Sequence, residues 1–129
     1  MAFSYCLNTS TIRSDGATVL DMINTTATAG YDGIEPWVEE LDDWIAGGGT
    51  LEQVRDHAAS KGVAIVNLIG FPEWAVPEDD RRAKGLEEAG RCFEMARLLH
   101  CPYVAAPPIG IHDREVELLP VADRFAALV

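Results

Sequence analysis

Cysteine is scarce in this sequence. The 129 residues include three cysteines, Cys6, Cys92 and Cys101, and none of them has the spacing of a CxxC pair. An odd number of cysteines without paired spacing argues against a disulfide framework and against a zinc site built on thiolates. We therefore expect three reduced thiols that pack as small apolar side chains, with Cys6 in a strand and Cys92 on a helix.

Basic residues and long apolar runs are also few. Ten Lys and Arg stand against 21 Asp and Glu, which gives a net charge of −11. Non-specific binding to a nucleic-acid backbone needs clustered Lys and Arg, so this composition argues against a nucleic-acid partner. No apolar run approaches the roughly 20 residues of a membrane helix, and no basic region followed by an apolar core indicates a secretory signal. We expect a cytoplasmic protein that binds a small molecule.

What the sequence does contain is a repeated alternation of strand-like and helix-like segments. The strand-like segments are short and apolar, and they cover residues 3–8, 31–35, 63–69 and 103–106. Apolar residues at helical spacing follow each of them. Four such alternations with short connections predict right-handed crossovers and a parallel sheet in an α/β domain.

Capping residues predict where the helices begin and end. Ser14 or Asp15 can cap a first helix that ends at Gly30, and residues 38–46 suggest a short helical turn. Thr50 and Gln53 have capping-box spacing for a helix that finishes at residues 61–62. A long helix is expected from about 78 to 100, and a last one begins near Pro120. The apolar face of the long helix is predicted to carry Leu86, Ala89, Phe93, Ala96 and His100.

Two architectures fit this pattern: part of a (β/α)8 TIM barrel, or a small open doubly wound sheet. Residues 126–129 are apolar and contain no Gly or polar tail, which is typical of a helix that is cut rather than finished. A complete (β/α)8 barrel takes about 250 residues. We therefore expect residues 1–129 to form a single domain, the amino-terminal half of a TIM barrel with about four βα units, truncated within the fourth helix.

The stretch from Gly30 to Trp37 presents a carboxylate at the end of a strand. Gly30 suits the left-handed turn that closes a helix, Gly33 permits a close approach, and Pro36 follows Glu35 directly. In parallel α/β proteins the carboxyl ends of the strands form the functional face, so Glu35 is a candidate site residue. The alternative is a loop carboxylate that caps a neighbouring backbone N–H group.

Three stretches carry a resemblance to a known family. Residues 29–35 read AGYDGIE, residues 48–51 read GGTL, and residues 62–68 read GVAIVNL. Together they resemble the xylose-isomerase-like TIM barrels, the superfamily of sugar phosphate isomerases and epimerases. The resemblance covers essentially the whole chain, and the first stretch is its most specific part.

The resemblance implies an enzyme that transfers a proton between carbons next to a sugar carbonyl with a divalent metal, Mn²⁺ or Mg²⁺. In that family the metal ligands lie on the fifth to eighth strands, which this chain does not contain. We therefore expect this half to bind no metal tightly, to be inactive alone, and to supply substrate contacts for a small sugar or sugar acid. The strand ends that match are Asn8, Glu35 and Asn67. Whether the substrate is phosphorylated stays open.

Other candidate residues have an ordinary alternative. Asn67 follows Val63 and Ile65 in alternation, which predicts a place in the barrel mouth, unless its amide only satisfies loop backbone. His112 follows the fourth strand and could line the mouth or lie in a surface loop. Residues 47–50 could bind a phosphate at a helix N-terminus or act as a hinge and cap. Three aromatic residues could stack on a sugar ring or pack under loops: Trp37, Phe71 and Trp74.

Two other functions remain open. The chain could be a non-catalytic half-barrel that acts only by association, because its outer strand edges would be unpaired and its interior exposed. For the same reason we expect self-association or pairing with the missing half. An apurinic-endonuclease-like barrel is the third possibility, but the net charge of −11 does not suit a DNA groove.

Overall fold

The structure is a computed structural model that describes residues 3–128. Its sheet has three parallel strands, β1 (Cys6–Asn8), β2 (Gly33–Glu35) and β3 (Ala64–Ile65), which are neighbours in chain order. The predicted α/β fold with parallel strands is confirmed. All three strands are shorter than the apolar segments that predicted them.

The fourth strand-like segment decides between the two architectures. Val104 forms an isolated parallel bridge with Leu68, just beyond β3. This gives the spatial order of a barrel wall, in which the fourth segment lies beside the third, whereas common doubly wound sheets break that order. The predicted strand 103–106 is nevertheless only a bridge. Pro102 and Pro107 flank the pairing residues and have no N–H group to extend it.

Five α-helices are found within residues 3–128. They are α1 (Val19–Thr28), α2 (Val38–Ala46), α3 (Leu51–Ser60), α4 (Asp79–Leu98) and α5 (Leu118–Leu128). In that part of the chain no helix combines the length and the apolar character that crossing a membrane requires. The segment expected to be a short turn is thus the nine-residue helix α2.

The cap of α1 differs from the prediction. Thr18, rather than Ser14 or Asp15, precedes the helix and forms a capping box with Asp21. Residues 14–17 instead form a turn, closed by a 3.1 Å hydrogen bond from the Ala17 N–H to the Ser14 carbonyl. The predictions for α3 and for the end of α1 are confirmed: Thr50 and Gln53 form the capping box, and Gly30 has a φ of 78°.

The buried face of α4 is rotated from the predicted one. Ala89 and Ala96 are buried, but Phe93 is 41% exposed and His100 is exposed. The face that packs against the core contains Gly85, Ala89, Cys92, Met95 and Ala96. Size explains the difference, because α4 lies so close to the rest of the chain that glycine, alanine and cysteine fit where phenylalanine does not.

Within residues 3–128, helices α1 to α4 pack against one face of the sheet. Ile34 and Ile65 are buried in a core shared with α1, α2, α3 and α4. The opposite face carries a row of small residues in register, Cys6, Gly33 and Ala64, of which Cys6 and Ala64 are exposed. A Cβ on Gly33 would lie 2.9 Å from the Val66 side chain, which confirms that Gly33 permits a close approach. We call this row the small-residue row.

An extra residue interrupts the strand segment after β3. Ile34 pairs with Ile65 and Trp37 pairs with Ile69, so three steps on one strand match four on the other. Such an insertion reverses the alternation of side chains between the two faces. Val63, Ile65 and Leu68 are all buried, whereas Asn67 is half-buried. Val63 and Ile65 therefore face the helices rather than a barrel mouth, so Asn67 does not share a mouth face with them, and its predicted place in the mouth stays a prediction.

We expect opposite stability changes from two glycine substitutions in α4. A Cβ on Gly85 would lie 2.6 Å from the backbone carbon of Glu73, whereas a Cβ on Gly90 meets nothing within 4 Å. Gly85→Ala should lower the free energy of unfolding by about 1–3 kcal/mol through overpacking. Gly90→Ala, the matched control, should raise it by about 1 kcal/mol through helix propensity. Urea denaturation followed by circular dichroism measures both, and a stabilised Gly85→Ala variant would contradict this packing.

Candidate functional site

The last residues of β1 and β2 lie side by side at the carboxyl edge of the sheet. Asn8 and Glu35 are paired in register, and the Asn8 Nδ2 donates a 3.3 Å hydrogen bond to the Glu35 Oε2. Neighbouring residues on parallel strands project to the same face, so the register brings the amide and the carboxylate together. We call Asn8 and Glu35 the strand-end pair. Both were predicted as substrate contacts, and that role stays a prediction.

Two donors fix the orientation of the Asn8 amide. The Trp37 Nε1 donates to the Asn8 Oδ1 at 3.1 Å, and the Ser10 N–H donates to the same oxygen at 3.0 Å. With its oxygen engaged, the amide directs Nδ2 towards Glu35. Among residues 3–128, the second N–H of Asn8 and the Oε1 of Glu35 have no hydrogen-bond partner, so both can contact a ligand.

The buried carboxylate of Glu40 forms hydrogen bonds with residues that adjoin the strand-end pair. Glu40 is only 8% exposed, and its Oε2 accepts hydrogen bonds from Thr9 Oγ1 at 2.6 Å and from the Trp37 N–H at 2.9 Å. Its Oε1 accepts from the Arg13 Nε at 2.6 Å. The sequence reading missed Thr9, Arg13 and Glu40. The available signal was the position of Glu40, three residues after Trp37 at the start of α2, which is half of a capping box.

The indole of Trp37, which donates a hydrogen bond to Asn8, packs against two other side chains. The rings of Trp37 and Phe71 meet edge to face with centroids 5.0 Å apart, and Phe71 is 46% exposed. The Arg13 guanidinium carbon lies 4.4 Å from the centroid of the Trp37 ring. Trp74, in contrast, is buried under the loops, where its Nε1 donates to the carbonyls of Ala106 and Pro107. For Trp74 the packing alternative is the right one.

The cysteines near this site are protonated at neutral pH. Cys6 is exposed as a residue, but partial removal of its thiol from water, followed by the negative charge of Glu35, raises the pKa of this thiol to about 11. Burial also raises the pKa of Cys101 above its usual value. Only a thiolate is an effective nucleophile, so this arrangement does not favour chemistry at either sulfur.

Among the described residues, the Asn67 and His112 side chains form no hydrogen bond with the strand-end pair. Asn67 is half-buried beyond β3, and His112 is exposed in the loop before α5. Neither side chain forms a hydrogen bond within the part of the chain that the structure describes. Their predicted roles as substrate contacts stay predictions without a supporting contact.

The loop before α3 has its N–H groups engaged internally. The N–H groups of Gly47, Gly48 and Gly49 donate to the carbonyls of Asp43, Ile45 and Trp44, respectively. The N–H of Thr50 donates to the Gln53 side chain. A phosphate needs free donors at such a helix start, so the geometry supports the cap rather than the phosphate site.

The described residues do not fit a metal ion. Between residues 3 and 128 no three His, Cys, Asp or Glu side chains converge closely enough to hold one. Glu35 is a single carboxylate whose nearest polar partner is an amide. These residues alone do not provide the ligands that a bound metal ion needs.

A cavity of about 690 Å³ opens beside the site, between the β1–α1 loop and α2. Arg13 and Glu40 line it, but neither member of the strand-end pair does. Asp15, Glu39 and Asp43 also line it and make it acidic. The strand-end pair is the better candidate for orienting a ligand, because a donor and an acceptor converge there.

We expect Glu35→Gln to lower the pKa of Cys6, because removing a nearby negative charge favours the thiolate. The pH at which iodoacetamide alkylates Cys6 half-maximally should therefore fall below about 11. Peptide mass spectrometry resolves Cys6 from the other cysteines. Glu39→Gln removes an exposed charge on α2 and serves as the matched control. An unchanged profile in Glu35→Gln would show that Glu35 does not face Cys6.

No family profile matches the chain. Among curated proteins it is similar to 3-dehydroshikimate dehydratase of Pseudomonas putida, with 29% identity over 99 residues. The match covers 72% of this chain and 15% of that protein. The chain thus spans a small part of this relative.

Solved structures match the fold along nearly the whole chain. The IolI protein with a binding zinc atom has a TM-score of 0.82 at 16% identity, over 98% of this chain and 46% of its own. The probable 3-DHS dehydratase AsbF of Bacillus anthracis has a TM-score of 0.78 at 15% identity, over 98% and 47%. D-psicose 3-epimerase of Clostridium cellulolyticum H10 has a TM-score of 0.73 at 12% identity, over 98% and 46%.

At these identities the structural matches show the fold. It is that of part of a TIM barrel, which is the fold that the sequence predicted, and two of the matching structures are described as xylose-isomerase-like or xylose isomerase domain proteins. The chain spans about half the length of these structures. The proteins it resembles are TIM barrels of the sugar isomerase, epimerase and dehydratase types.

Proposed function

We propose that this chain is the substrate-binding half of an enzyme that transfers a proton next to the carbonyl of a sugar or sugar acid. The observation that carries the proposal is the strand-end pair. An amide donor and a carboxylate acceptor stand 3.3 Å apart at the carboxyl ends of adjacent parallel strands, where TIM barrels bind their substrates.

The strand-end pair suits a hydroxylated ligand. A hydroxyl group is both donor and acceptor, so one substrate hydroxyl can accept from the free Asn8 N–H and donate to the free Glu35 oxygen. The half-exposed ring of Phe71 adds an apolar surface for the carbon-bound face of such a ligand. These groups orient a substrate, and none of them needs to change its protonation state.

The reaction we propose begins with removal of a proton from the carbon next to the carbonyl. An isomerase or epimerase returns the proton to another carbon or to the opposite face. A divalent metal such as Mn²⁺ or Mg²⁺ would stabilise the charge that develops on the carbonyl oxygen. We propose that both the metal ligands and the base belong to the other half of the barrel, so this chain alone is inactive.

A dehydratase is the second candidate, favoured by the similarity to 3-dehydroshikimate dehydratase. The first step is the same, removal of a proton next to a carbonyl. In a dehydratase a hydroxide then leaves from the adjacent carbon and departs as water. The strand-end pair would orient the hydroxyl groups of a dehydratase substrate equally well. The two candidate functions therefore differ in their substrate, whereas this chain binds and orients the substrate in both.

The partner we propose is a complementary half-barrel or a second copy of this chain. β1 is an edge strand within the described residues, and the aromatic residues near the outer edges are exposed: Phe3 by 79%, Tyr5 by 63% and Tyr103 by 70%. Apolar surface beside an unpaired strand edge favours association. If that association were its only role, the chain would be a non-catalytic half-barrel.

Ligand titration separates the binding proposal from purely structural roles for the pair. D-fructose and 3-dehydroshikimate are the two probes, followed by changes in the ¹H–¹⁵N NMR spectrum of the chain. Asn8→Ala and Glu35→Gln should each weaken binding about fivefold to tenfold, the effect of one lost hydrogen bond. Glu87→Gln, which removes an exposed carboxylate on α4, should not. Equal affinity in all four proteins would refute the assignment.

Light scattering after gel filtration tests the association. We expect a mass above 14.0 kDa that increases with protein concentration and does not respond to Mn²⁺. The physical reason is the unpaired strand edge, which another strand can extend. A monomer at every concentration would contradict the proposed pairing with a second copy, and a mass that depends on Mn²⁺ would contradict the proposed location of the metal ligands.

A further inference from the structure

We infer that Arg13 and Glu40 are positioning residues: they fix the indole of Trp37 and, through it, the orientation of the strand-end pair. This inference deepens the proposed function and rests on it in one respect, the contact between the strand-end pair and a substrate. The positioning itself is a property of the unliganded chain. It can therefore be measured without any ligand.

The Glu40 carboxylate is the group whose position is most strongly determined by its hydrogen bonds. Both of its oxygens accept short hydrogen bonds from three groups, the Thr9 hydroxyl, the Trp37 N–H and the Arg13 Nε. Thr9 is completely buried and Glu40 nearly so. A buried carboxylate with three donors has one strongly preferred position, because any other leaves a charge or a donor without a partner.

Arg13 transmits that position to the indole ring. Its Nε is held by Glu40, and its guanidinium lies over the Trp37 ring at 4.4 Å, within the range of a cation–π contact. Phe71 contacts the same ring edge to face. The Trp37 backbone is held by Glu40 and its ring by Arg13 and Phe71, so the direction of the indole N–H is determined.

The indole N–H then orients the substrate-facing groups. It donates to the Asn8 Oδ1, and this contact together with the Ser10 N–H directs the Asn8 Nδ2 towards Glu35. If the indole turned away, the Asn8 amide would lose one of the two donors that distinguish its oxygen from its nitrogen. The order of dependence is thus Glu40, Arg13, Trp37, Asn8 and Glu35.

Indole hydrogen exchange measures this positioning directly. Arg13→Lys keeps the positive charge but loses both the planar contact with Trp37 and the Nε hydrogen bond. We expect the Trp37 indole N–H to exchange about fivefold to tenfold faster, the effect of one hydrogen bond, and the Asn8 side-chain amide resonances to shift. Arg97→Lys is the matched control, since Arg97 pairs with Glu94 on the exposed side of α4.

The other two tryptophans separate positioning from general destabilisation. The Trp44 indole donates to the Thr50 carbonyl, and the Trp74 indole donates to carbonyls after the Leu68–Val104 bridge. If Arg13 and Glu40 were only a structural ion pair, all three indoles would exchange faster together. Positioning predicts a change at Trp37 alone. Glu40→Gln should act in the same direction, and Arg13→Lys provides the answer if that variant does not fold.

Titration of the same variants with D-fructose connects the positioning to the substrate. Arg13→Lys should weaken D-fructose binding about fivefold while Arg97→Lys leaves it unchanged. Unchanged indole exchange in Arg13→Lys, or faster exchange with unchanged D-fructose affinity, would overturn the inference. If the unsubstituted chain binds neither D-fructose nor 3-dehydroshikimate, the proposed function fails. Selective exchange at Trp37 would then still support Arg13 and Glu40 as positioning residues for the indole.

Discussion

The in-register parallel pairing of β1 with β2 is the constraint on which the rest of the structure depends. It aligns Leu7 with Ile34 on the side of the helices, and Asn8 with Glu35 at the carboxyl edge. A shift by one residue would bury Glu35 against the helices and expose Ile34. The hydrophobic core and the candidate site are therefore two results of a single register, and neither can be altered independently of the other.

Much of the fold was predictable because local chemistry agrees with the tertiary structure. Gly30 ends α1 with a left-handed φ, and Thr50 with Gln53 begins α3, as the sequence indicated. Strand lengths and the buried face of α4 were predicted less well. Both depend on how closely two segments approach, as at Gly85 beside the backbone of Glu73. The periodicity of one segment contains no information about its distance from another.

The residues of the strand-end pair could be predicted from the sequence, but the residues that hold the pair in position could not. Asn8 and Glu35 follow from the positions of strand ends, which a sequence displays. Asn67 was grouped with Val63 and Ile65, which in fact face the helices, and the extra residue after β3 that separates it from them is revealed only by the pairing with β2. Arg13 and Glu40 are 27 residues apart and meet where the loop before α1 packs against the start of α2, so their contact could not be inferred from spacing.

If the proposed partner completes a barrel, the small-residue row restricts which side chains that partner can carry. The interior of a complete (β/α)8 barrel is a packed core of side-chain layers. Cys6 and Ala64, which lie on alternate strands, would contribute little volume to one layer, and Gly33 would contribute none to a neighbouring one. A complementary wall must compensate with bulky side chains that reach across the axis at that height. A partner that supplies four βα units can therefore be assessed by a steric criterion. Large side chains opposite this row would fill the barrel interior, whereas small ones would leave a cavity along the barrel axis.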